Sequence, residues 1–154
     1  MGKTRQSGDK TMFIGEYTHS LDTKGRIALP AKFRQKLGDG AIITRGLDRS
    51  LFIYNKIDWD ALAQKLMALP LSQSGARAFS RLMLAGAMEV EFDNQGRILI
   101  PEYLRIYAGL KKQAVFAGLY NRIEIWDENT WKTYKSKTEA SSDDIAEKLG
   151  ELGI

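Results

Sequence analysis

Two stretches with one pattern decide the architecture of this chain: LDTKGRIALP, from Leu21 to Pro30, and FDNQGRILIP, from Phe92 to Pro101. Each places an Asp, three residues and an Arg before a short apolar run that ends at a proline. The alignment of the two copies continues past the prolines, with Arg34 opposite Arg105 and Gly38 opposite Gly109. After one residue inserted in the second copy, the aligned pairs are Gly46 and Gly118, Ile53 and Ile125, and Trp59 and Trp131. The chain therefore contains two copies of a unit of roughly 50 residues, running from Phe13 to Trp59 and from Ala85 to Trp131.

The same order of elements is predicted in both copies. The segment MEVEF (88–92) alternates apolar and acidic residues with the period of a half-buried strand. A glycine then allows a turn with positive φ, a second short strand follows, and a proline begins a short helix that another glycine closes. These residues are Gly25, Pro30 and Gly38 in the first copy and Gly96, Pro101 and Gly109 in the second. Two more strands, joined by a Gly-Leu turn, complete each copy.

The fold class predicted from this order is mainly β with flanking helices. Four short strands per copy cannot bury both faces of a small sheet. The two copies are therefore expected to interlock into one pseudo-two-fold β-barrel, which would also remove exposed strand edges.

Helices are predicted after each copy. The segment DWDALAQKLMALP (58–70) carries an apolar stripe at helical spacing, with Asp58 as the predicted N-cap and Pro70 as the stop. A second helix is predicted over 74–86, and the tail is predicted to be helical, interrupted at TEASSDD and frayed over its last residues. The predicted organisation is a flexible extension (1–11), a first repeat (12–62), a helical connector (63–84), a second repeat (85–134) and a helical tail (135–154).

Composition limits the class of protein. The chain has 154 residues, of which 44% are hydrophobic and 27% charged, as is usual for one globular domain. No apolar run approaches the roughly 18 residues of a membrane span. The chain has no cysteine, and its polar start, MGKTRQSGDKT, lacks the apolar core of a signal peptide. These features predict a cytoplasmic protein without disulfides or a membrane partner.

The repeated turn is the candidate functional site. Asp22 and Asp93 are predicted to brace their turns by accepting N–H groups or holding the arginine four residues later. Arg26 lies beside Lys24 and Thr23 at a loop tip, and a guanidinium presented by a braced loop is suited to guanine edges or phosphates. The net charge of +4 is compatible with a polyanionic partner.

Several segments of the sequence resemble a known family. The segments FIGEYTHSLDTKGRIALPAKFR, DNQGRILIP and AGL with WDENTW are similar to MraZ, a family of bacterial transcriptional regulators built on SpoVT-AbrB-type swapped-hairpin barrels. The resemblance extends from Met12 to about Trp131. It implies a regulator that binds direct repeats in double-stranded promoter DNA ahead of the division and cell-wall gene cluster, including its own promoter. It further implies a ring-like homo-oligomer located at the nucleoid, with no cofactor and no small-molecule substrate.

The resemblance does not make the two copies equal. The window 24–36 contains five basic residues and no acid, whereas the matching window 95–107 contains two arginines and one glutamate. Thr23, Lys24 and Arg26 are therefore predicted to make the main DNA contacts, while Arg97 assists or braces the barrel. Lys3, Arg5 and Lys10, in the N-terminal extension, either add phosphate contacts or have no role.

The sequence admits three other interpretations. A pseudo-two-fold axis could bring Asp22 and Asp93 together as an aspartic-protease-like dyad, but such dyads are expected in an Asp-Thr/Ser-Gly turn and each Asp here has its own Arg. The sequence offers few side chains that bind metal ions, because it has no Cys and a single histidine, His19. His19 is predicted to pack on the strand. An antitoxin-like barrel that captures a protein partner through its tail is disfavoured, because the second half is a full copy. No enzyme activity and no bound metal are therefore expected.

Overall fold

A computed structural model describes residues 12–154 of the chain. The predicted extension at 1–11 lies outside the described residues. Eight strands form the framework: β1 (Phe13–Ser20), β2 (Arg26–Ala28), β3 (Gly40–Arg45), β4 (Leu51–Tyr54), β5 (Met88–Glu91), β6 (Arg97–Leu99), β7 (Gln113–Tyr120) and β8 (Ile123–Asp127). Six of them form one antiparallel sheet in the order β1-β7-β8-β4-β3-β5, and β2 and β6 form a separate two-stranded sheet.

Strand pairing interlocks the two copies. β1 pairs with β7 over eight residues, from Phe13 opposite Tyr120 to Ser20 opposite Gln113. The pairs β3–β5, β4–β8 and β2–β6 also join the first copy to the second. Among residues 12–154, strand pairing within a copy is confined to the hairpins β3–β4 and β7–β8. Neither half therefore owns a complete sheet, as expected of interlocked repeats.

The predicted closed barrel is not found. Closure would need hydrogen-bonded ladders from β1 to β2 and from β5 to β6. In the described chain these strands meet only at their turns, where the N–H of Asp22 donates to the carbonyl of Arg26 and the N–H of Asp93 donates to the carbonyl of Arg97. β2 and β6 are three residues long, and Pro30 and Pro101 then direct the chain into helices, so neither strand can follow its neighbour farther. β1 and β5 consequently remain edges of the large sheet.

The main core lies between the large sheet and the two short helices that follow the turns, α1 (Ala31–Leu37) and α4 (Glu102–Ala108). Ile27 and Ile98, from the two short strands, and Phe33 and Leu104, from the two helices, occupy equivalent positions of the repeats and are all buried. Equivalent residues of the two copies therefore occupy equivalent positions in the core.

The remaining helices partly correct the predicted boundaries. α2 (Lys56–Met67) is capped by the side chain of Asn55, which accepts from the N–H of Asp58, so the prediction of Asp58 as N-cap is wrong by one turn. α3 (Ser74–Ser80) continues into a π-helical turn (Arg81–Ala85). The tail contains α5 (Glu128–Ala140) and α6 (Ser142–Gly150), which are separated only at Ser141, so α6 is a regular helix and not a frayed end.

The second Gly-Leu pair also differs from the prediction. Gly46 begins a turn, but Gly118 and Leu119 lie inside β7, because β1 pairs with that strand along its whole length. Of the three tryptophans, Trp126 is buried, whereas Trp59 and Trp131 are half-buried. Trp131 packs edge-on against Trp126, with 5.2 Å between the rings. His19 is half-buried and packs edge-on against Phe116.

Candidate nucleic-acid interface

The first turn is closed by one carboxylate. Oδ1 of Asp22 accepts the backbone N–H groups of Lys24 and Arg26 at 2.9 and 2.8 Å, and Oδ2 accepts Nε of Arg26 at 2.7 Å. Gly25 takes a φ of 87° and donates its N–H to the carbonyl of Asp22. The arginine is thus held by its own turn, with the exposed side chains of Thr23 and Lys24 at the tip.

The second turn repeats this geometry. Oδ1 of Asp93 accepts the N–H groups of Gln95 and Arg97 at 2.8 and 2.9 Å, and Oδ2 accepts Nε of Arg97 at 2.8 Å. Gly96 takes a φ of 75°. The spacing of four positions between Asp and Arg therefore suits hydrogen bonds within the turn, because the carboxylate accepts from both the backbone and the arginine side chain.

The pairing of β2 with β6 places the two turns side by side. Arg26 lies opposite Leu99, and the carbonyls of Gly25 and Gly96 accept N–H groups from Ile100 and Leu29 of the other copy. Nη1 of Arg97 comes within 3.9 Å of Oδ2 of Asp22. Residues 71 positions apart in sequence thus form one surface.

Each turn is also covered by an arginine from the other copy. A Cβ atom on Gly25 would overlap the guanidinium of Arg105, and a Cβ on Gly96 would lie 2.6 Å from Nη1 of Arg34. A side chain at either glycine would displace the guanidinium group that covers it, in addition to the strain of a positive φ. Sequence reasoning assigned no role to Arg34 and Arg105. Their equivalence in the repeat alignment is the sequence signal that points to a shared role.

The five basic residues of the window 24–36 do not form one patch. Lys24 and Arg26 lie on the first turn, but Arg34 covers the second turn and donates to the carbonyl of Leu29 at 2.8 Å. Lys36 donates to the carbonyl of Met12 beside β1. At the turns themselves, the first copy is therefore more positive than the second because of one residue, Lys24, whose counterpart is Gln95. The other basic residues of the window do not add to this difference at the first turn.

Hydrogen bonding lowers the pKa of both aspartates. The N–H of Arg26 has the largest effect on Asp22, and that of Arg97 has the largest effect on Asp93, with further lowering from the guanidinium groups. A proton-sharing pair of carboxylates requires the opposite, namely one raised pKa. Arg97 also lies between the two carboxylates, at 2.8 Å from Asp93 and 3.9 Å from Asp22. The turns are thus unsuited to the chemistry of an aspartic-protease dyad.

We predict that acid weakens the fold partly through these turns. The pKa of each aspartate is below its ordinary value of 3.8, so the turns stabilise the chain fully above that value and the contribution is lost as the pH falls through the folded pKa. Urea unfolding of wild type and of Asp22→Asn with Asp93→Asn, measured from pH 7 to pH 2.5, should show a shallower fall below about pH 4 in the double variant. Parallel curves would contradict this origin.

Other chemistry is weakly supplied in the described chain. Among residues 12–154 no group of three or more His, Cys, Asp or Glu side chains is placed to hold a metal ion. No helix in the same range is both long and apolar enough to span a bilayer. The paired turns therefore stay the candidate site.

The fold and the paired turns define a protein made of two interlocked copies of one strand–turn–strand–helix unit. The family model described as "MraZ protein, putative antitoxin-like" matches the chain twice, over residues 12–82 and 83–151. A protein of Natranaerobius thermophilus named transcriptional regulator MraZ is 50% identical over 143 residues, and one of the same name from Alkaliphilus oremlandii is 51% identical over 143 residues. Both alignments cover 93% of this chain and 100% of the relative.

The chain belongs to the MraZ family, and the resemblance carried by the two turns is confirmed. The relatives are named as transcriptional regulators, which is not an enzyme class, and this supports a regulator of transcription. The domain boundaries and the roles of individual turn residues stay predictions.

Proposed function

We propose that the chain is a sequence-specific DNA-binding regulator whose paired turns contact repeats in double-stranded promoter DNA. One observation carries the proposal: two carboxylate-braced turns lie side by side and present arginines on one surface. A guanidinium held at Nε keeps its two Nη groups as donors, and a braced side chain loses little entropy when it binds a base edge or a phosphate. Family membership supports the same role, at the promoter of the division and cell-wall gene cluster and of its own gene, in the cytoplasm at the nucleoid.

The two turns are proposed to contribute unequally. Arg26 is 35% exposed and hydrogen bonds to one carboxylate, whereas Arg97 is 26% exposed and lies between two. The residues of the first turn, Asp22, Lys24 and Arg26, sum to a charge of +1, while Asp93 and Arg97 of the second sum to zero. Thr23, Lys24 and Arg26 are therefore proposed as the main DNA contacts, with Arg97 assisting or bracing.

Self-assembly is part of the proposal. One good bidentate contact to a base is worth about 1 to 3 kcal/mol of discrimination, which is too little for a specific operator. A ring of identical chains would present several turns to direct repeats and gain affinity through effective concentration.

The test is fluorescence anisotropy with DNA from upstream of the gene, titrated against salt. Arg26→Ala is expected to weaken specific binding by about tenfold or more, since one such contact is worth about 1 to 3 kcal/mol. Arg97→Ala should weaken it less. Lys65→Ala removes an exposed charge on α2, which packs against β3 and β4, and is the matched control for net charge.

Two outcomes would overturn parts of this proposal. Equal losses in folded Arg26→Ala and Arg97→Ala would remove the asymmetry. Equal affinity for upstream and scrambled DNA would remove sequence specificity and with it the role of the turns. A salt slope of about 0.9 per phosphate neutralised would count the contacts made.

A further inference from the structure

The C-terminal helix has an apolar face on which no residue of the described range 12–154 packs closely. Ile145, Leu149 and Leu152 follow at intervals of four and three residues and so lie on one side of α6 and its end. They are 41%, 37% and 73% exposed, and every residue from 136 to 154 is exposed. Asp144 and Glu151 flank this stripe, and the helix and its cap carry four acids against one lysine. An amphipathic acidic helix thus stands apart from the core of its own chain.

A groove of matching character lies beside the edge strand β1. The β1–α1 groove has a volume of about 310 Å³ and is lined by Met12, Ile14, Gly15, Tyr17, Lys32, Phe33 and Lys36. Met12 is 43% and Ile14 is 66% exposed, which is unusual for apolar residues at the start of a strand. The charged residues among the lining are both lysines, one turn apart on α1. The groove is apolar with a basic rim.

We propose that α6 of one copy docks in the β1–α1 groove of a second copy. The stripe of α6 would cover Met12 and Ile14, and its flanking carboxylates would face Lys32 and Lys36. Apolar burial supplies the driving force and the opposite charges set the orientation. This inference rests on the self-assembly proposed above and names the two surfaces that would carry it.

Charge selects this occupant over the others that the chain and its DNA offer. Residues 1–11 have Met1 as their one large apolar side chain and carry three bases against one acid, so a basic rim would repel them. DNA would be attracted by the lysines of the groove, but it has no use for the exposed apolar side chains between them. DNA is also excluded as the partner of α6, because the acids of this helix would repel it. A second α6 would place acids against acids. The groove of another copy satisfies both the stripe and the charge.

The contact is head-to-tail, because helix and groove are different surfaces. Such a contact leaves a free helix and a free groove on every pair, so it continues until a ring closes. A symmetric contact would stop at two chains. The proposed interface therefore accounts for closed assemblies without a second kind of contact.

The test is complementation between two variants, each defective on one surface. Ile145→Ser with Leu149→Ser removes the stripe and keeps the groove, and Ile14→Asp spoils the groove and keeps the helix. All three positions are exposed, so both variants should fold, which circular dichroism checks. Light scattering with size exclusion, without DNA, should show a multimer for the full wild-type chain and a monomer of 17.3 kDa for each variant alone. An equimolar mixture should give a one-to-one dimer.

Each other outcome overturns the inference. Multimers that persist in both variants would place the interface elsewhere, and a mixture that stays monomeric would exclude the pairing of these two surfaces. A monomeric wild type would remove self-assembly altogether. As a second check, Lys32→Glu and Asp144→Lys should each weaken assembly, and together in one chain they should restore it; failure to restore would exclude the predicted orientation. DNA binding measured separately by anisotropy distinguishes these failures from failure of the paired turns.

Discussion

Replacing Phe33 by alanine is expected to lower the free energy of unfolding by about 3 to 5 kcal/mol, a large part of the stability of a domain this size. Phe33 is 2% exposed, and its ring meets those of Phe13 and Tyr17 edge-on, with centroids 5.5 and 5.3 Å apart. The alanine would leave a cavity between α1 and β1 and remove both ring contacts. Urea unfolding at pH 7 measures the loss.

Phe33→Leu is the matched control for this variant. Leu104 occupies the equivalent position of the second copy and is fully buried, so the fold accepts leucine in that environment. The leucine variant is expected to lose less than half as much stability as the alanine variant, because most of the volume is kept. Similar losses in both would mean that the aromatic contacts, and not the filled volume, stabilise this part of the core.

Gly118→Ala is expected to cost about 2 to 3 kcal/mol, although it adds one methyl group. A Cβ at this position would lie 2.6 Å from the N of Ile14 and 2.6 Å from the C of Phe13. These are backbone atoms, which cannot rotate away, so the first residues of β1 would have to separate from β7. Denaturant unfolding measures the cost, and hydrogen exchange should show faster exchange at the start of β1.

Gly75→Ala is the control for adding a methyl group to a glycine. Gly75 lies in α3, and apart from its chain neighbours and the backbone of its own helix no described atom lies within 4 Å of the site of its Cβ. The alanine there should stabilise the chain slightly, by up to about 1 kcal/mol, since alanine favours a helix over glycine. If Gly118→Ala lowered the free energy of unfolding no more than Gly75→Ala does, the start of β1 would be able to shift and accommodate the methyl group without a cost in stability.

Local features of the sequence predicted the elements well. The Asp, Gly and Arg of each turn interact within five residues, so their spacing is sufficient to predict a braced turn. The same holds for Pro30 and Gly38, which begin and end α1 through their own backbone preferences. The Asn55 cap was missed because Asp58 is an equally good capping residue by type, and only the path of the chain decides which one precedes the helix.

Contacts between distant residues were beyond reach. The alternation in β5 predicts a strand but not that its partner is β3, and nothing local shows that β2 stops too soon to close a barrel. The basic window counted Arg34 with the charges of the first copy, yet its guanidinium lies at the turn of the second. The exposure of Ile145 and Leu149 was also invisible, because an apolar stripe predicts burial without naming the surface that provides it.

The sequence by itself determined the duplication, the order of the elements, the two turns and the family, because these depend on residue type and on spacings of a few residues. The tertiary structure alone decided which strands pair between the copies, that Arg97 lies between two carboxylates, that Arg34 and Arg105 cross between copies and that α6 is exposed along its whole length. The physical reason is that periodicity specifies which face of an element is apolar, whereas its partner is chosen by packing among residues that lie far apart in the sequence, such as Phe13 and Tyr120.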